Sequence, residues 1–149
     1  MRIQTRARRP GATAVEMALV APVFFLLLFG LLIGGLGIFR YNQVSHLARD
    51  AARYACVRGQ DYHKDTKLPA ATQDSIYENA VKPSAFTLDQ SRLTCTVTWD
   101  QSNAPRRYSP TGVATTNYVI VTVSYQWIPE NWVFPPITLT STSKMPMSY

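Results

Sequence analysis

The spacing of apolar and polar positions changes character along this chain, and each change predicts an element. Residues 17–39 are 23 positions without a charged side chain. As a helix rising 1.5 Å per residue they reach about 35 Å, enough to cross a hydrocarbon core of about 30 Å. A secretory signal peptide also opens basic and turns apolar, but its apolar core runs about 7 to 15 residues and ends at a small-x-small site. Here the run is longer, and the "GIFRYNQ" that closes it offers no such site. The pattern predicts a retained transmembrane helix that starts near Ala14 and continues past Phe39 without a break. Pro22 is expected to kink it, because proline removes one backbone donor and crowds the preceding turn; membrane helices tolerate this.

From residue 40 the pattern becomes amphipathic. At 100° per residue Val44, Leu47, Ala48, Ala51, Tyr54 and Ala55 share one face, with Ser45, His46, Arg49, Asp50 and Arg53 on the other. No turn signal separates this stretch from the apolar run, so one helix of about 45 residues is expected, with Gly59 as its stop. "GQDYHKDTKLP" reads as a loop, and "AATQDSIYENAVKP" as a second short helix carrying Ile76, Tyr77, Ala80 and Val81 and stopped by Pro83. The period then drops to two. In "LTCTVTW" Leu93, Cys95, Val97 and Trp99 alternate with threonines, in "YVIVTVSYQW" Val119, Val121, Val123, Tyr125 and Trp127 alternate with polar residues, and "ITLTSTS" is a weaker third strand. "DQSNAPRRYSPTG" and "IPENWVFPP" read as turn-rich connections. The fold class is therefore α+β: a long N-terminal helix whose amphipathic half packs on a small antiparallel sheet.

Charge adds a topology signal. Arg2, Arg6, Arg8 and Arg9 crowd the short N-terminal arm, whereas Arg40, Arg49, Arg53 and Arg58 are spread along the segment after the span. Density of Lys/Arg places the N-terminus in the cytoplasm. A Thr- and Pro-rich remainder with two cysteines suits an oxidising extracytoplasmic side. The formal charge of +6 falls to +2 beyond the arm, where 11 Lys/Arg face 9 Asp/Glu without a clustered stripe, so no nucleic-acid partner is expected.

"RRPG" followed by "ATAVE" and an apolar helix resembles type IV pilin-like precursors, whose leader is cut after a glycine with glutamate at the fifth mature position; Gly11 and Glu16 keep that spacing. The fuller "GATAVEMALVAPVFFLLLFGLL", then "ARDAARYA" and a closing "ITLTSTSKMPM", is similar to the TadE-like family of tight-adherence (type IVb) pilus proteins. The likeness covers about residues 8–58 well and the end of the chain loosely. Ordinary pilins often begin with an aromatic residue after the cut, where this chain has Ala12.

The resemblance implies removal of residues 1–11, a basic cytoplasmic leader, by a membrane prepilin peptidase. It leaves a transmembrane helix over 12–39, its extracytoplasmic continuation over 40–58, and an α+β domain over 59–149 outside a bacterial inner membrane. Gly11 suits a scissile position because its backbone can lie extended against a protease; breaker residues also commonly precede helices. The cut would create an ammonium at Ala12. Similar proteins pair it with the glutamate of a neighbouring subunit in the filament, whereas the plainer reading has Glu16 snorkel to the cytoplasmic headgroups. Gly30 and Gly34 form a small-xxx-small pair that permits close helix approach, although glycine is frequent in membrane helices anyway. Cys56 at a helix end and Cys95 in a strand are either a disulfide, closing a loop of about 40 residues and contributing about 3 to 4.5 kcal/mol in the chain-entropy model, or buried thiols. The compartment favours the bond.

Catalysis finds no support in the residues. His46 and His63 have no metal-like spacing to each other or to the cysteines. A Cys56 and His63 nucleophile pair lacks any supporting motif, and Trp99, Trp127 and Trp132 read as core or turn anchors. No enzyme, cofactor or metal is expected. The expected function is that of a TadE-like minor pilin or pseudopilin, with other pilus subunits, the prepilin peptidase, the inner-membrane assembly machinery and the lipid bilayer as partners. The alternative is an uncleaved single-pass protein with an extracytoplasmic binding domain.

Overall fold

A computed structural model describes residues 10–100, 102–129 and 135–148; the basic arm and Trp132 lie outside the described residues. The chain divides between Gly37 and Ile38 into two compact units. Helix α1 is unbroken over Pro10–Cys56, 47 residues, with Pro22 inside it. It starts earlier than Ala14 and continues past Phe39 as the absence of turn residues predicts.

In the second unit the amphipathic half of α1 supplies one wall of the core. Val44, Ala48, Ala51, Ala52 and Ala55 are fully buried and Leu47 nearly so. Tyr54 is only half-buried. The opposing wall is a three-stranded antiparallel sheet in the order β1-β4-β5, built from β1 (Leu93–Trp99), β4 (Tyr118–Trp127) and β5 (Ile137–Pro146). Register sets Cys95 opposite Val123, Val97 opposite Val121 and Val123 opposite Ser141. The alternation read from sequence is the burial pattern, with Leu93, Cys95, Val97, Val119, Val121, Val123, Tyr125 and Trp127 all buried, except that Trp99 at the end of β1 is only half-buried. Each valine withdrawn from water contributes about 1.5 to 3 kcal/mol. The alanines of α1 keep the helix surface low, so the sheet can approach it. The outer face of the sheet is hydroxyl-rich, with Thr122 bonded to Thr142 and Ser124 to Thr140, both at 3.0 Å. Strand β5 is nowhere fully buried.

In the connections the chain differs from expectation in three places. Gly59 does not close α1 with a left-handed turn. Its backbone is extended (φ −86°, ψ −158°), and it leads into α2 (Gln60–Thr66), where a loop was expected. None of the α2 residues is buried, so no apolar period announces it. The second expected helix does not stop at Pro83. After α3 (Gln73–Ile76), capped by a reciprocal Thr72 and Ser75 box, the chain widens to π register over Tyr77–Val81 and regains α register in α4 (Lys82–Ser84). The Lys82 N–H reaches back to the Tyr77 carbonyl, and this wider turn gives the Pro83 ring the room that an α turn denies it. Finally, the connection after β1 contains a hairpin of β2 (Arg106–Tyr108) and β3 (Ala114–Thr116), turned at Gly112 with φ +79°.

Candidate assembly site on the N-terminal helix

The first half of α1 presents its apolar side chains outward. Val15, Met17, Leu19, Phe24, Leu26, Leu31 and Ile38 are each more than half exposed, and the most apolar window of the helix has a mean hydropathy of 2.6 with no part buried inside the molecule. Such a surface needs a solvent of lipid or of other helices. Gly30 and Gly34 face open space: a Cβ built on either meets nothing within 4 Å. Nothing among the described residues therefore calls for glycine at these positions, and the groove they leave has room for another helix.

Glu16 lies at the entrance of this surface, exposed, and among the described residues it forms no ion pair. Gly11 is exposed and already helical, as is the backbone of Ala12. A protease acting between them must first unwind the opening turn of α1. Glycine eases this, being about 1 kcal/mol worse than alanine in a helix.

The other expected site residues are dispersed. The disulfide between Cys56 and Cys95 is not formed: both are free, buried thiols. Cys56 Sγ is turned along its own helix and donates to the Arg53 carbonyl at 3.3 Å. Cys95 points into the sheet's inner face, where burial pushes its thiol pKa up. Cys95 should resist alkylation in the folded protein because the thiolate is the reactive form, Cys56 because it is buried, and both should react fully once the protein is denatured. Non-reducing peptide mapping of exported protein, denatured in excess alkylating agent, checks this; a cross-linked Cys56 and Cys95 peptide would reinstate the bond expected from sequence. His46 is exposed, and His63 Nδ1 bonds the Leu68 carbonyl at 2.8 Å, closing the end of α2. No group of three or more potential metal ligands exists among the described residues. A polar hollow of about 580 Å³ lined by Gln60, Asp61, Lys64, Arg106, Tyr108 and Ser148 holds an ion pair, Lys64 to Asp61 at 2.7 Å. The hydrogen bond to Asp61 raises the lysine's pKa, so this lysine is a fixed cation and no proton shuttle.

Several positioning contacts have no counterpart in the sequence reading. Arg58 lies 3.9 Å over the Tyr54 ring and 5.8 Å from that of Tyr62, joining α1 to α2. The end of α1 is clasped by Ser148, whose N–H and Oγ both donate to the Cys56 carbonyl, at 3.0 and 3.1 Å. Asn117 is the one fully buried polar side chain among the described residues. Its Nδ2 donates to the carbonyls of Ser102 and Ala104, and its Oδ1 accepts from the Tyr118 N–H. A polar residue directly before a run of alternating valines was the available signal.

A helix long and apolar enough to cross a membrane, continued into a small α+β unit, fits a membrane-anchored protein. Residues 11–53, the stretch that carries the apolar span, Glu16 and the amphipathic continuation, match the family model described as TadE-like protein. The likeness to TadE-like proteins thus covers the N-terminal segment, residues 11–53. No curated protein and no solved structure matches the chain.

Proposed function

We propose that this protein is a minor pilin or pseudopilin of a tight-adherence pilus, cut after Gly11 by a prepilin peptidase and assembled through its N-terminal helix. The observation that carries the reading is the combination, on one TadE-like helix, of an uncharged exposed surface, a carboxylate at its entrance without an ion pair among the described residues, and glycines that the chain's own packing does not use. In this role the helix holds the subunit in the inner membrane before assembly and packs against its neighbours afterwards. The soluble unit stays on the extracytoplasmic side. Its polar surface and the absence of convergent nucleophiles or metal ligands among the described residues suit a structural subunit.

The helical state of Gly11 favours a second reading, in which the opening turn is never unwound and the chain remains an uncleaved single-pass protein with an extracytoplasmic binding domain. The mature N-terminus separates the two. Co-expression with an active prepilin peptidase is expected to yield a chain beginning at Ala12 by intact-mass measurement, and Gly11→Val to leave the full chain, since a β-branched side chain obstructs close approach of the backbone to the protease. An intact N-terminus in the presence of active peptidase selects the second reading.

A further inference from the structure

The most exposed large apolar side chain in the described part of the molecule is not on the membrane span. It is Phe86, 83% accessible, at the tip of a short turn after α4. The turn itself is well fixed. Ala85 is fully buried and Leu88 nearly so on either side of the tip, and the Leu88 N–H bonds the Ala85 carbonyl at 2.9 Å. Phe86 therefore projects from an anchored support.

Side-chain hydrogen bonds tie the turn to α1 at the level of Arg40 and Gln43. Arg40 Nη1 donates to the Thr87 carbonyl at 2.8 Å and to Gln43 Oε1 at 3.1 Å, while Gln43 Nε2 donates to Thr87 Oγ1 at 2.6 Å. Arg40 is the first charged residue after the uncharged run of residues 17–39. Long side chains on a helix lean toward its N-terminus, so the guanidinium that holds Thr87 sits at or before the level of its own Cα, at the boundary where apolar sequence gives way to polar. Two further aromatics are exposed there on α1, Phe39 at 54% and Tyr41 at 47%. Aromatic side chains collect at the membrane–water boundary, and arginine at that depth reaches the headgroups.

We infer that the turn carrying Phe86 is a second membrane contact, in which Phe86 enters the lipid interface beside the end of the span while Arg40 and Gln43 hold the turn at headgroup level. The occupant is the outer surface of the bilayer the helix crosses, because the contact continues that of the span. The side chain adds apolar area to the anchor, and the two attachment points restrict rotation of the soluble unit about α1.

The inference rests on the proposed membrane insertion, and its test distinguishes the two. The full chain is reconstituted in phosphatidylcholine vesicles brominated either near the headgroup or deep in the acyl chain, with single Phe86→Trp, Phe29→Trp or Tyr108→Trp substitutions and wild-type emission subtracted. Tyr108 is 70% exposed and lines the hollow with Gln60 and Ser148, beyond the end of α1, about 24 Å along the helix from Arg40. The added emission of F86W should be quenched several-fold more by shallow bromine than that of Y108W, that of F29W should be quenched by deep bromine, and acrylamide should reach only Y108W. If F29W is quenched but F86W matches Y108W in both assays, the lipid contact is refuted and the span stands. If F29W is not quenched either, both readings fall.

Discussion

Glu16→Gln is expected to abolish incorporation into filaments while leaving membrane insertion and cleavage intact. Glutamine keeps the shape of the side chain and removes only its charge, and the peptidase reads the glycine boundary chiefly through backbone access. In the single subunit Glu16 is exposed and has no ion pair among the described residues. If its purpose is to meet the ammonium that cleavage creates at Ala12 of a neighbour, the variant strands that ammonium in apolar surroundings. Breaking a buried pair by removing one partner costs about 3–5 kcal/mol, which at about 1.4 kcal/mol per factor of ten lowers subunit addition more than a hundredfold. Quantifying processed protein in sheared filaments and in membranes, for variant and wild type, provides the measurement. Normal incorporation of processed E16Q would make Glu16 an interfacial residue that snorkels to the headgroups.

The second large effect lies in the soluble unit. Asn117→Ala should lower its stability by about 1.5–4.5 kcal/mol, since it removes three hydrogen bonds made by a fully buried side chain, each contributing about 0.5–1.5 kcal/mol net. That is a large share of the 5–15 kcal/mol typical of a domain. Asn117→Asp is an informative companion. It keeps the acceptor for Tyr118 but sets a carboxylate against two carbonyl oxygens, which raises its pKa in the folded state above the unfolded one. Stability lost at neutral pH should therefore return in part as pH falls through the folded pKa, when the protonated carboxyl can donate one bond. Urea unfolding of the detergent-solubilised chain, followed by tryptophan emission at neutral and mildly acidic pH, reports both. A shift of the unfolding midpoint no larger than that of an exposed control such as Thr96→Ala would remove Asn117 from this role.

The elements that sequence made legible are those whose burial follows a period. Leu93, Cys95, Val97 and Trp99 alternate with threonines because one face of β1 meets the core, and the same holds for the valines of β4. The continuity of α1 was legible from an absence, since nothing between Phe39 and Val44 could end a helix. What stayed hidden carries no period. Helix α2 and the β2–β3 hairpin bury nothing and are held by isolated contacts, such as the Gln60 N–H on the Asn103 carbonyl at 2.7 Å for α2 and Arg107 Nε on Thr115 Oγ1 at 3.0 Å within the hairpin. Pro83 misled because a helix can widen locally around a proline. At the candidate site, Gly11, Glu16, Gly30 and Gly34 were visible as spacings along one helix. The clasp of Arg40 and Gln43 on Thr87 joins positions more than 40 apart and could be found only in three dimensions.

The bond from Ser148 to the Cys56 carbonyl joins residues 92 positions apart, and between them lie all the strands. Ser148 lies two residues beyond the end of β5, so it reaches α1 once β5 has been laid along β4 and β4 along β1. A ribosome delivers α1 first. Its apolar half needs no strand to complete it, but its second half must wait, alanine face uncovered and final carbonyl unanswered, until the third strand arrives. During that interval the face of residues 44–55 that ends up buried is the chain's vulnerable surface.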